Sequence, residues 1–135
     1  MGLRRKAREL ALQSLYQAEL NGVGPLDNFP LLCDNFQVDP QVIPQAEQLL
    51  QGIVSHAEEL DRLIGQYARN WRVGRMSVID RNLIRLGAYE MLHREEVPAT
   101  VAINEAIEIA KRYSTDDAPS FINGILDAIR NGQGQ

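Results

Sequence analysis

LRRKARELALQSLYQAEL, Leu3 to Leu20, joins a burst of positive charge to an amphipathic helical pattern. At 100° per residue, Ala7, Leu10, Ala11, Ser14, Leu15 and Ala18 fall on one face. Most of these side chains are small, so another backbone can approach closely. On the opposite side lie Arg5, Leu12 and Tyr16, with Arg8 beside them. Arginine and an aromatic ring on one exposed strip suit a single-stranded nucleic acid, because guanidinium meets phosphate while a base stacks on the ring. The bland alternative packs Leu12 and Tyr16 under the following loop and leaves the arginines as a solvated helix start.

Charge sharpens the first reading. Arg4, Arg5, Lys6 and Arg8 are four of the fourteen Lys and Arg, and no acid precedes Glu9. The other ten basic residues stand against eighteen Asp and Glu, an asymmetry that the net charge of −4 conceals. Clustered cations at one end of an acidic chain point to a polyanion, since phosphates reward them by releasing counterions.

The 135 residues suffice for one domain with a real hydrophobic core. Aromatics are few and Ala, Leu and Ile abound, which leans towards helices. No apolar run reaches the ~20 residues of a membrane span, and no secretion signal is evident. A single cysteine, Cys33, excludes an internal disulfide and fits a reducing cytoplasm. Neither internal repeats nor low-complexity tracts occur.

Asn21 to Pro25 ends the first helix, with glycine for a left-handed stop. Leu26 to Pro40, punctuated by Pro30 and Pro40, reads as a short helix or two in a surface connection anchored by Leu31, Leu32 and Phe36. From about Val42 to Arg69 one long helical stripe runs through Leu49, Leu50, Ile53, Leu60, Leu63 and Ile64. Asn70 to Arg75 reads as a turn. Ser77 then opens a helix to about Arg94 as a capping box with Asp80 in place of Glu. That helix is apolar nearly all round, so it belongs at the centre.

Glu90 lies on one of its buried faces, where a carboxylate must find donors; a structural ion pair is favoured over a catalytic acid. Pro98 opens the next helix, with Val101, Ala102, Ala106, Ile109 and Ala110 inward and a Glu108–Arg112 pair outward. Asp117 or Asp116 caps the last helix, whose inner face is Phe121, Ile122, Ile125, Ala128 and Ile129 before Asn131 to Gln135 frays. The sum is an all-α chain of six or seven helices.

Catalytic materials are poor. His56 and His93 lie far apart on different predicted helices without metal-ligand spacing, and Cys33 sits in a loop with no paired His. No phosphate-cradling glycine pattern and no nucleophile elbow occur. Neither an enzyme, a cofactor nor a metal is expected. A second basic grouping, Arg69, Arg72 and Arg75 around Trp71 with Arg81 and Arg85 beyond, either extends an anion surface or balances local acids.

The combination RRKARELALQSLYQAEL, IDRNLIRLGAYEML and EVPATVAINEAIEIAKRYSTDDAPSFINGILDAI closely resembles the NusB family of bacterial transcription antitermination factors. The likeness spans both ends and the central helix, and Pro98 to Gly124 is highly specific; Asn21 to Ile43 has no quotable counterpart. The resemblance implies two packed helical bundles and a non-enzymatic role. That role is binding the boxA element of ribosomal RNA leader transcripts together with the ribosomal protein NusE, in an RNA polymerase antitermination complex. It also implies site residues. Arg4, Arg5, Lys6 and Arg8 match the RNA-binding arm, although Lys6 stands where arginine is often seen and lacks its planar fork. Tyr16 matches the tyrosine of LYxxxL and Phe121 the aromatic of FxNGxLD, while Asp117 lies near the RNA face and Asp80 on the NusE side. For Phe121, helical spacing argues equally for a core role. If the arm and Phe121 act together, the first and last helices adjoin.

A similar domain also prefixes some ribosomal RNA cytosine methyltransferases. With no cofactor-binding domain or catalytic cysteine motif in these residues, methyl transfer by this chain alone is not expected. Two readings remain in competition: an RNA-binding adaptor, and a protein-interaction module that self-associates, as a homodimer, without RNA.

Overall fold

A computed structural model describes residues 2–68 and 72–133 of the chain. Among these residues there are seven α-helices, two short 3-10 turns and no strand. They fall into two compact units, Met1–Ser55 and His56–Gln135.

In the first unit, α1 (Leu3–Asn21), α2 (Pro25–Asn35) and α3 (Ile43–Ser55) pack on one another, with a 3-10 turn at Pro40–Val42. The small-residue face of α1 is buried along its whole length: Ala7, Leu10, Ala11, Ser14, Leu15 and Ala18. Each buried leucine there contributes roughly 1.5–3 kcal/mol by leaving water. Gly22 stops α1 with φ 69°, a left-handed conformation that L side chains resist, and the Val23 N–H donates to the Ala18 carbonyl. Buried polar groups then fasten α2: the Ser14 hydroxyl donates to the Pro25 carbonyl at 3.1 Å, and the Asn28 amide donates to the Ser14 carbonyl at 3.4 Å.

The expected surface connection is therefore a docked helix. Its anchors are Phe29 and Leu32, whereas Leu31 and Phe36, which periodicity places inward, are exposed. Pro30 does not end α2, because it lies on the exposed side and the Leu26 carbonyl that loses its donor belongs to an exposed residue. Cys33 sits on α2, not in a loop.

The long helix expected from Val42 to Arg69 is two. His56 departs from helical geometry (φ −109°, ψ 16°) and separates α3 from α4 (Ala57–Tyr67). Neither glycine nor proline marks the break, so the apolar stripe reads through it. The sequence signal is the acidic pair Glu58 and Glu59, which occupies the first turn of α4, where the helix dipole favours negative charge.

In the second unit α4 is joined by α5 (Val78–His93), α6 (Ala99–Tyr113) and α7 (Ala118–Gly132). α5 is central, packing against α4, α6 and α7, as its all-round apolar pattern requires. Gly87 lets α7 come close: a Cβ there would stand 2.8 Å from a methyl of Leu126. Ser77 accepts from the Asp80 N–H at 3.1 Å, which is half of the expected capping box; the Asp80 carboxylate turns elsewhere.

Arg85 grips Asp61 on α4 through two N–H donors, Nε to Oδ1 at 2.7 Å and Nη2 to Oδ2 at 2.8 Å. Glu90 is buried and already engaged within the chain, and no buried side-chain nitrogen or oxygen among the described residues lacks a partner. Val101, expected inward, is exposed on α6. Glu108 accepts from Lys111 at 2.8 Å. At the far end α7 runs to Gly132 and Gln133 donates to the Tyr67 hydroxyl at 3.2 Å, while Gly134 and Gln135, the close of the tail expected to fray, lie outside the described residues. Among the described residues no helix is long and apolar enough to cross a membrane.

Candidate nucleic-acid interface

The basic start of α1 divides by depth. Arg4 and Lys6 are exposed, Arg5 is half-buried, and Arg8 is buried at 5% exposure. Arg5 and Arg8 already interact with other groups of the chain. The exposed strip read from periodicity is thus corrected: Leu12 is buried together with Arg8, and Tyr16 is half-buried. A helix covered on one face only would have left both in water; α1 is covered on two. Arg8 is a satisfied interior guanidinium, so the solvent-facing cations of the arm are Arg4 and Lys6.

In the second unit Asp80 is tied to the segment that leads to Asp117 and Phe121. Ser114, between α6 and α7, donates its hydroxyl to the Asp80 carboxylate at 2.6 Å. Asp80, half-buried in the first turn of α5, is thereby tied to the loop that leads into α7. Asp117 stands at the start of α7 as its N-cap residue, but its backbone is helical and its side chain makes no cap hydrogen bond. Its carboxylate is exposed. Phe121, one turn further on, is half-buried beside the fully buried Ile122 and interacts with other groups of the chain. Its position lies between the two roles that its helical spacing leaves open.

Just before Ser114 lie residues that periodicity passes over. Lys111 and Arg112 lie in the last turn of α6, and the Arg112 guanidinium stands 5.3 Å from the ring centre of exposed Tyr113. An exposed ring with a cation over it offers a stacking platform beside a phosphate contact. The signal is the run KRY before the polar loop. The second basic grouping does not assemble in this way. Arg81 donates to the carbonyls of Val73 and Met76, each at 3.2 Å, and Arg85 is spent on Asp61. Arg72 and Arg75 are exposed, while Arg69 and Trp71 lie outside the described residues.

Known proteins match the chain in both sequence and fold. The model of the NusB family matches residues 5–131. A transcription antitermination protein NusB of Desulfatibacillum aliphaticivorans is 46% identical over 129 residues, covering 96% of this chain and 90% of the relative. The structure of T. maritima NusB superposes with a TM-score of 0.86 at 36% identity, covering 95% of this chain and 90% of that one. A crystal structure of the antitermination factors NusB and NusE in complex with dsRNA contains a chain that matches with a TM-score of 0.87 at 26% identity, over 98% of both chains.

Proposed function

The chain belongs to the NusB family, and we propose that it works as a non-catalytic RNA-binding adaptor in transcription antitermination. In this reading it binds boxA-type RNA of ribosomal RNA operon transcripts, together with the ribosomal protein NusE, in the antitermination complex of RNA polymerase. The solved complex of related factors with NusE and dsRNA supports the choice of partners.

The observation that carries the reading is the exposed pair Arg4 and Lys6 in the first turn of α1. Cations there oppose the helix dipole, at a cost of roughly 0.3–1 kcal/mol each, and no acid in that turn offsets them. An anionic ligand reverses the sign, because the helix start and both cations then attract one phosphate backbone. Arg5 and Tyr16, half-buried, line the route; Arg8 holds the helix from within. Within the second unit, Asp117, Phe121, Arg112 and Tyr113 form a candidate surface of their own for base contacts and stacking, and Asp80 is assigned to the protein partner.

The test is a salt titration of binding to a short boxA-like RNA, with and without NusE. Arg4→Ala with Lys6→Ala should weaken binding and flatten its salt dependence by about 0.7 in log–log slope for each phosphate that the variant no longer neutralises. The thermal midpoint should stay nearly unchanged. Unaltered affinity in this double variant would overturn the assignment of the arm.

A further inference from the structure

Both histidines of the chain, which lie far apart in sequence, meet in the second unit. The rings of His56 and His93 stack with centroids 3.9 Å apart and planes inclined by 29°. Tyr89, nearly buried, backs both rings at 5.7 and 5.8 Å. Glu59, three residues into α4 from His56, reaches His93 Nε2 at 2.7 Å. One donor atom from each of His56, Glu59 and His93 lies within 4.8 Å of the other two.

We infer that His56, Glu59 and His93 form a binding site for one divalent transition-metal ion of the Zn2+ class. Two imidazoles and a carboxylate are a donor set that Zn2+ accepts, with a fourth position left to water. Bond lengths near 2.0–2.2 Å place donors on a shared tetrahedral ion about 3.3 Å apart. The His93–Glu59 pair is tighter than this and the remaining separations are at most 4.8 Å. His93 is exposed and Glu59 partly so, which leaves both side chains room to turn towards a shared ion.

Charge favours the ion as well. The carboxylate of Glu59 offsets part of the charge of a dication, and two imidazoles complete the donor set. The start of α4 opposes a cation and the end of α5, where His93 sits, favours one, so the two helix dipoles largely cancel. Tyr89 fixes the ring planes, as supports behind ligands do in metal sites. Bound there, the ion braces the beginning of α4 against the end of α5.

The chain should be titrated with Zn2+ in competition with a chromophoric chelator, near neutral pH. Imidazole resonances should be followed in parallel by 1H–15N correlation, with His93→Ala assigning the two rings. One equivalent is expected to bind, moving both ring signals and raising the melting temperature as free metal increases. His93→Ala, at an exposed helix end, should weaken binding roughly ten-fold or more, and Glu59→Gln should do the same. Cys33→Ser should change nothing. Affinity should fall as the pH drops and protons compete for the imidazoles. Absence of saturable binding in the parent chain, binding undiminished in His93→Ala, or binding abolished in Cys33→Ser would each overturn the site. None of these readouts depends on RNA.

Discussion

The Ser114 hydroxyl donates to the Asp80 carboxylate at 2.6 Å, tying the first turn of α5 to the loop between α6 and α7. An acid at the start of α5 is also favoured by the helix dipole, so the proposed contact with the protein partner falls on a side chain that has structural roles as well. Paired variants separate them. Asp80→Ala and Ser114→Ala should each cost about 1 kcal/mol in chemical denaturation, the usual worth of such a hydrogen bond. Only Asp80→Ala, which removes the charge, should weaken NusE binding in calorimetry.

Arg8 should behave as a core residue. Its guanidinium is buried and engaged, so Arg8→Ala removes packing and leaves its partner groups unsatisfied. A loss of about 1–3 kcal/mol in urea denaturation is expected. RNA binding should retain its salt slope if measured where the variant is folded, in contrast to the flattening expected for Arg4 with Lys6.

Tyr113, with Arg112 over its ring, should contribute stacking energy to RNA. Tyr113→Ala is expected to weaken binding by about 1–3 kcal/mol, with the salt slope preserved because the cations that meet phosphate are all still in place. Tyr113→Phe should keep most of the affinity. Fluorescence anisotropy with the same short RNA reads both.

Close packing at Gly87 sets a different limit. Gly87→Val drives branched atoms into Leu126, which is fully buried, and should destabilise the chain by about 1–3 kcal/mol. Leu126→Ala also destabilises when introduced alone. Combined, the two should lose less than their sum, since each relieves the other's defect; thermal denaturation of the four chains measures the coupling.

Cys33 should be a sluggish nucleophile. Burial raises its thiol above the usual value, and the negative charges of Asp34 and Glu47 push in the same direction. The neutral thiol therefore persists to higher pH than in the unfolded chain. Alkylation by iodoacetamide should be slower than that of an unstructured peptide thiol, and should accelerate only as pH rises through the raised pKa. Urea should restore ordinary reactivity.

Local pattern was enough for the all-helical class, the glycine stop of α1, the centrality of α5 and the small-residue face of α1. Each follows from periodicity or capping chemistry within a few residues. The basic arm was legible for the same reason, as charge composition. Depth was not. Arg8 and Leu12 read as a solvent strip because a single helix wheel cannot show how many neighbours cover it. The break at His56 escaped because apolar spacing continues across it, with only the acids of the next turn to mark it. The meeting of His56 with Glu59 and His93, and of Asp80 with Ser114, was decided by helix packing alone. Such contacts join residues through the side-by-side placement of helices, a relation that no spacing along one helix encodes.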